Sequence, residues 1–274
     1  MKFTKMILAF LLALSSVQVS AKSETACTKL VVGAPAPAVL STYYAAKVQS
    51  VSAVESKLKA NGFSILAKTA PIKGSTVITV TNKELKNTNS WLAALNVLVN
   101  EKEIRVQNPS YFGAAYLQDK FTYGQFSATL KSLQKALGDL YTVKDEFALA
   151  KLAKYHFMPM MPYVKETIEV GEGADLETKL KDNKYVAYSL KLPNGATLVG
   201  HNLIRRTNRF LLKIDAGNNA LILPYKSMIK EGKAVMLAPK YYLAVSLPLL
   251  SMGEFMKIAS APNEIEKDIK RAYK

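Results

Sequence analysis

The chain has 274 residues, 49% of them apolar, and 37 lysines and arginines against 21 acids, for a formal charge of +16. A single cysteine excludes an intrachain disulfide, a cysteine-rich zinc site and C-x-x-C-H haem attachment.

The N-terminus reads as a secretory signal. Lys2 and Lys5 precede the apolar run from Met6 to Leu14, and Val19-Ser20-Ala21 satisfies the small-x-small rule. Cleavage is expected after Ala21, which makes Lys22 the first mature residue. The apolar run is shorter than the ~20 residues a spanning helix needs, and no later segment is long and continuous enough. The expected location is therefore periplasmic or secreted. Export argues against nucleic acid as the partner of the positive charge. A peripheral contact with an anionic membrane surface, a cell-wall polymer or an acidic envelope protein fits better, beside the plainer reading of a solvated basic face. Cys27 is a lone thiol in residues 22–40, which read as a flexible N-terminal segment.

Beyond it the sequence repeats. Val54 to Ala67 (VESKLKANGFSILA) aligns with Leu176 to Ser189 (LETKLKDNKYVAYS) at an offset of 122, with Glu, Lys, Leu, Lys and Asn recurring in register. Glu101, Pro109, Tyr111, Phe112 and Ala114 answer to Glu231, Pro239, Tyr241, Tyr242 and Ala244 at an offset of 130. The second copy thus holds eight more residues between these blocks. Thr122 to Gln125 and Ser251 to Glu254 then share the capping-box form. The units are placed at residues 41–140 and 163–274, with residues 141–162 as a helical, methionine-rich joint.

In the first unit, Ser52-x-x-Glu55 predicts a capped helix to about Asn61, ended by Gly62. Strands are predicted at 63–68, 76–81, 93–99 and 103–107, and a helix from about Gln125 to Leu137. In the joint, apolar Phe147, Leu149, Leu152 and Ala153 predict a short amphipathic helix over 146–154. The second unit reads as a helix over 175–182, then strands at 185–192, 197–202, 209–214, 221–229 and 234–237. Asn194-Gly195 marks a hairpin turn. A closing helix is interrupted near Pro262. This order predicts an α+β fold of two similar β-α-β(4)-α units, with helices packed on curved antiparallel sheets.

The run Pro224-Tyr-Lys-Ser-Met-Ile-Lys-Glu-Gly-Lys-Ala-Val-Met-Leu-Ala-Pro239-Lys-Tyr-Tyr-Leu-Ala244 resembles the core of the domain of unknown function 302 family: a strand, an acidic-glycine turn, a second strand and a P-x-Y-L-A helix start. Ala93 to Ala114 resembles the same stretch in the first copy. Val51 to Ala67 resembles the family's opening helix and strand. The resemblance implies a fold of the TATA-binding-protein type and no established reaction. Where the family often has a histidine, this chain has Thr69-Ala70-Pro71. Where it often has G-N-P, Thr81-Asn82-Lys83 and Ala216-Gly217-Asn218 stand.

No nucleophile elbow, phosphate-cradling glycine loop or H-E-x-x-H motif is present, and there are two histidines. His201 reads as a structural histidine beside the basic cluster Arg205, Arg206, Arg209 and Lys213. In the joint, His156, Met158, Met160 and Met161 offer imidazole and thioether ligands suited to Cu(I), or a flexible apolar filler between units. Tyr111, Phe112, Tyr225, Tyr241 and Tyr242 either line a ligand groove or close the end of each sheet. The function expected is an exported cell-envelope binding or interaction protein without catalytic apparatus. Its ligand would be a small hydrophobic or anionic molecule held on a sheet or between the copies. The alternatives are a Cu(I)-binding protein and an unrecognised envelope enzyme.

Overall fold

A computed structural model describes residues 27–274. The signal sequence and its cleavage site lie outside the described residues. A short strand β1 (Val39–Ser41) leads into β2 (Tyr43–Ala46) and a helix at Val51–Ala60. Then come β3 (Ser64–Thr69), β4 (Ser75–Thr81), β5 (Leu95–Asn100) and β6 (Ile104–Gln107). Helices at Pro109–Leu117 and Ser127–Leu137 close the unit. After β7 (Tyr141–Thr142) and β8 (Glu146–Ala148), the second unit runs β9 (Thr167–Glu172), a helical turn at Leu176–Lys179, β10 (Val186–Lys191), β11 (Thr197–His201), β12 (Tyr225–Lys230) and β13 (Lys233–Leu237). Helices at Pro239–Ser246, Met252–Lys257 and Ala261–Arg271 complete it.

The duplication is visible in the pairing. The first sheet has the order β3-β4-β5-β6-β2-β7 and the second β10-β11-β12-β13-β9. Leaving out β7, the two orders coincide strand for strand, and every pairing is antiparallel. The register coincides too: Val97 faces Val106 as Ser227 faces Met236. Each copy carries a β-bulge at the same place, between Ile65 and Ala67 and between Val186 and Tyr188. A bulge bends and twists its strand, so both sheets curve alike.

The copies diverge between their second and third sheet strands. The first joins β4 to β5 with residues 82–94, and the second joins β11 to β12 with residues 202–224. The longer connection coils into turns at Arg205–Asn208 and Phe210–Lys213 and a 3₁₀ stretch at Gly217–Ile222. The strand expected at 209–214 is therefore helical. Phe210 and Leu211 are buried while Leu212 and Lys213 are exposed, a spacing that a period of two does not give.

The structure revises other expectations. Residues 146–154 are not one amphipathic helix, because Glu146–Ala148 pairs with β1 and only Leu149–Leu152 coils. Residues 27–40 are tied to the first unit by a Lys29–Tyr141 bridge, by Leu30 N–H donating to the Leu140 carbonyl at 2.7 Å and by β1. The first helix is capped by Ser50, whose Oγ accepts from Ala53 N–H, and not by Ser52. Ser251 and Glu254 form both bonds of a capping box. Thr122 and Gln125 form only the return bond, and their helix starts at Ser127.

The Tyr188 ring lies over Gly200 so closely that a Cβ there would stand 2.0 Å from Tyr188 Cε1. Gly200→Ala is expected to cost about 1–3 kcal/mol of stability through overpacking. Urea unfolding checks this, and an unchanged midpoint would mean that the ring moves aside freely. Among the described residues, no helix is long and apolar enough to cross a membrane.

Candidate functional site

The aromatic residues marked in the sequence lie in the buried core. Tyr111, Phe112, Tyr225, Tyr241 and Tyr242 are all buried. Tyr111 donates its hydroxyl to the Val245 carbonyl at 2.9 Å, and Tyr241 donates to the Ala115 carbonyl at 3.3 Å. These bonds are reciprocal: each tyrosine caps a carbonyl four residues past its own counterpart in the other copy. Tyr225 and Tyr242 donate to the carbonyls of Leu237 and Ile222 within the second unit. Burial pushes all four phenols up, so they remain protonated donors.

A second reciprocal pair lies on β5 and β12. Asn96 pairs with Thr79 and Lys226 with Gly200, at the same point of each sheet. Asn96 Nδ2 donates to the carbonyls of Leu221 (2.8 Å) and Leu223 (3.2 Å). Lys226 Nζ donates to those of Trp91 (3.1 Å) and Ala94 (2.6 Å). The contact is thus isologous in form, residue i of one copy meeting j of the other and the reverse.

Beside this joint the molecule opens into a cleft of about 1230 Å³, above the ~300–1,000 Å³ common for small-molecule sites. One wall is the β3–β4 turn of the first unit, with Ile72 and Lys73. The other is the expanded connection of the second unit, with Leu203, Arg205, Arg206, Arg209 and Leu212, and with Leu223 and Pro224 further along. Two bonds hold the walls. Asp268 Oδ2 accepts from Ile204 N–H at 3.1 Å, fixing the start of the Arg205–Asn208 turn. Asn208 Nδ2 donates across the cleft to the Pro71 carbonyl at 3.0 Å.

The lining carries four cations and no carboxylate. Arg206 reaches Glu264 at 3.1 Å, while Lys73, Arg205 and Arg209 have no ion pair among the described residues. Arg205 and Arg209 stand one helical turn apart, a spacing at which like charges destabilise by about 0.2–0.5 kcal/mol. Arg105, which lines a hollow of about 260 Å³ elsewhere, is different. It is held by Glu103 and Asp145, and its charge is compensated in place.

His201 closes the inner end of the cleft. It is almost fully buried, and burial holds its pKa down to about 3, so it is neutral. Nε2 is 2.6 Å from Ser227 Oγ, which in turn meets the Tyr273 hydroxyl. Both hydroxyl protons find acceptors within this chain when it runs from Tyr273 to Ser227 to His201 Nε2. That direction places the imidazole proton on Nδ1, which has no partner. Thr69 Oγ1 and Asn208 Oδ1, also on the lining, are likewise buried without partners.

In the joint, the Met161 amide donates to the Met158 carbonyl at 3.0 Å. The turn leaves Met160 fully exposed at φ +67°. Met161 packs against the core, and His156 stacks on Tyr163 with ring centres 4.7 Å apart. The two methionines nearest in sequence therefore face different surroundings. Among the described residues, no group of three or more His, Cys, Asp or Glu side chains is placed to hold a metal ion.

The chain matches no known protein family, curated protein or solved structure. The sequence marks the arginine cluster as a charge feature and places eight extra residues in the second copy. It does not join them to Ile72 and Lys73, which lie more than a hundred residues earlier. No local signal reports that proximity.

Proposed function

We propose that the protein is an exported, non-catalytic envelope protein that holds a small anionic ligand in the cleft between its two repeats. The observation that carries this reading is the lining itself: four cations, three of them without an ion-pair partner among the described residues, and no carboxylate. An anion there would relieve the Arg205–Arg209 repulsion and add ~1 kcal/mol or more per close pair. A binding role is also favoured over catalysis by the buried chain at His201. Ser227 is fully buried and shared with Tyr273, and no acid orients the imidazole. A serine–histidine nucleophile would need both access and an orienting group.

Native mass spectrometry of the protein released gently from its own envelope is expected to show an acidic adduct. The Arg205→Ser/Arg209→Ser variant should lose it, and higher ionic strength should weaken it. A clean apo mass for the wild-type protein across mild conditions sinks the proposal.

A further inference from the structure

The cleft's chemistry is divided. Its cations sit at the exposed rim on Arg205, Arg206 and Arg209, whereas Leu203 and Leu223 are buried within it and Ile72 is half-buried. Leu212 stands at the edge with more than half of its surface exposed, on the same short coil as the arginines. A purely inorganic anion would use the rim and leave Ile72 and Leu212 wet. A neutral apolar molecule would leave the rim uncompensated. The volume of about 1230 Å³ also exceeds what a bare phosphate or carboxylate fills.

Resting on the anion-binding reading above, we infer that the ligand is an amphiphilic anion. Its acidic head, a phosphate or carboxylate, is held by Arg205 and Arg209. Its apolar tail lies along Ile72 and Leu212, the half-buried and exposed members of the apolar lining. The geometry favours this assignment because the arginines and Leu212 share one connection, residues 203–212, in the stretch where the second copy is longer than the first, and Ile72 lines the same cleft from the β3–β4 turn. A headgroup of a lipid and a free alkyl phosphate present the same chemistry there.

The test is calorimetric titration of the mature protein with octyl, decyl and dodecyl phosphate below their micelle concentrations, beside inorganic phosphate and dodecanol. Dodecyl phosphate is expected to bind at least 100-fold more tightly than inorganic phosphate. Affinity should rise about three- to fourfold per added methylene. Arg205→Ser/Arg209→Ser should weaken dodecyl phosphate at least tenfold. So should Ile72→Ser/Leu212→Ser, whose side chains are exposed enough to be changed without emptying the core. Circular dichroism and urea unfolding verify that both variants fold.

If inorganic phosphate binds as tightly as the alkyl phosphates and the serine pair at 72 and 212 is silent, the anion site stands and the amphiphile is overturned. If dodecanol matches dodecyl phosphate and the arginine variant is silent, the cleft is merely apolar and both readings fail. No binding by any probe also overturns both. Vesicles containing anionic phospholipid distinguish the two sources. Extraction of lipid into a soluble complex points to a lipid ligand, and binding of monomeric alkyl phosphate without extraction points to a free one.

Discussion

Asn96→Ala is expected to lower the unfolding free energy by about 3–4 kcal/mol, read as a fall in urea midpoint at constant slope. The side chain is fully buried and makes three hydrogen bonds of its own. It accepts from Thr79 Oγ1 at 2.8 Å and donates to the carbonyls of Leu221 and Leu223. Alanine leaves all three partners inside the protein without water. An orphaned buried group costs about 1–3 kcal/mol, and partial relaxation keeps the total below the simple sum. The loss falls on the joint between the units, because both carbonyls belong to the other copy. One apolar core runs through both units, so unfolding should remain a single transition in the wild-type protein. In the variant, a second transition or a lowered slope would show that the joint opens first. A midpoint change worth under 1 kcal/mol would mean that Asn96 is not what binds the copies together.

How much of this was legible in the sequence follows from the range of each signal. The repeat was readable because Glu55, Lys57 and Leu58 and their counterparts recur at one spacing, and shared fold requirements leave shared residues. The strands are where the copies agree in register. The errors were local ambiguities. Arg209 to Ile214 is too short to separate a strand from a helical turn by period, and tertiary packing of Phe210 and Leu211 decided it. Glu146–Ala148 became a strand only because β1 lay beside it. The tyrosines show the same limit in the site. Their spacing marked equivalent helix starts, but nothing in it distinguishes a groove lining from a hydroxyl bonded across a buried joint. Asn96 and Lys226 were overlooked because two different residue types occupy one equivalent position, and a search for identities passes over it. The cleft needed residues 72 and 203–212 brought together, which only the packing of one unit on the other provides.

Lys226 gives the second large effect, and it depends on pH. Its amine is buried against two carbonyls with no acid nearby, and burial pulls its pKa from 10.5 down to about 7. Below pH 7 both native and unfolded chains hold the proton, and the native state bears the full cost of a buried ammonium. Between pH 7 and 10.5 the unfolded chain binds the proton and the native chain does not, so stability rises with pH over that interval. The wild-type protein is expected to gain about 3 kcal/mol between pH 7 and 9.5 relative to Lys226→Met. Methionine keeps the length of the stem but has neither donor nor charge. It leaves the Trp91 and Ala94 carbonyls unpaired, a cost that does not vary with pH. Buried tyrosines act in the opposite direction. Their raised pKa values take stability away above about pH 10, and the comparison cancels them because both proteins carry the same tyrosines. A flat difference between the two urea series from pH 6 to 9.5 would show that Lys226 stays charged in place. A rising difference would show that it acts as a neutral donor, as the amide of Asn96 does at the equivalent position. The two copies would then hold each other by the same uncharged bond made from two different side chains, leaving the net positive charge of the joint region to the cleft.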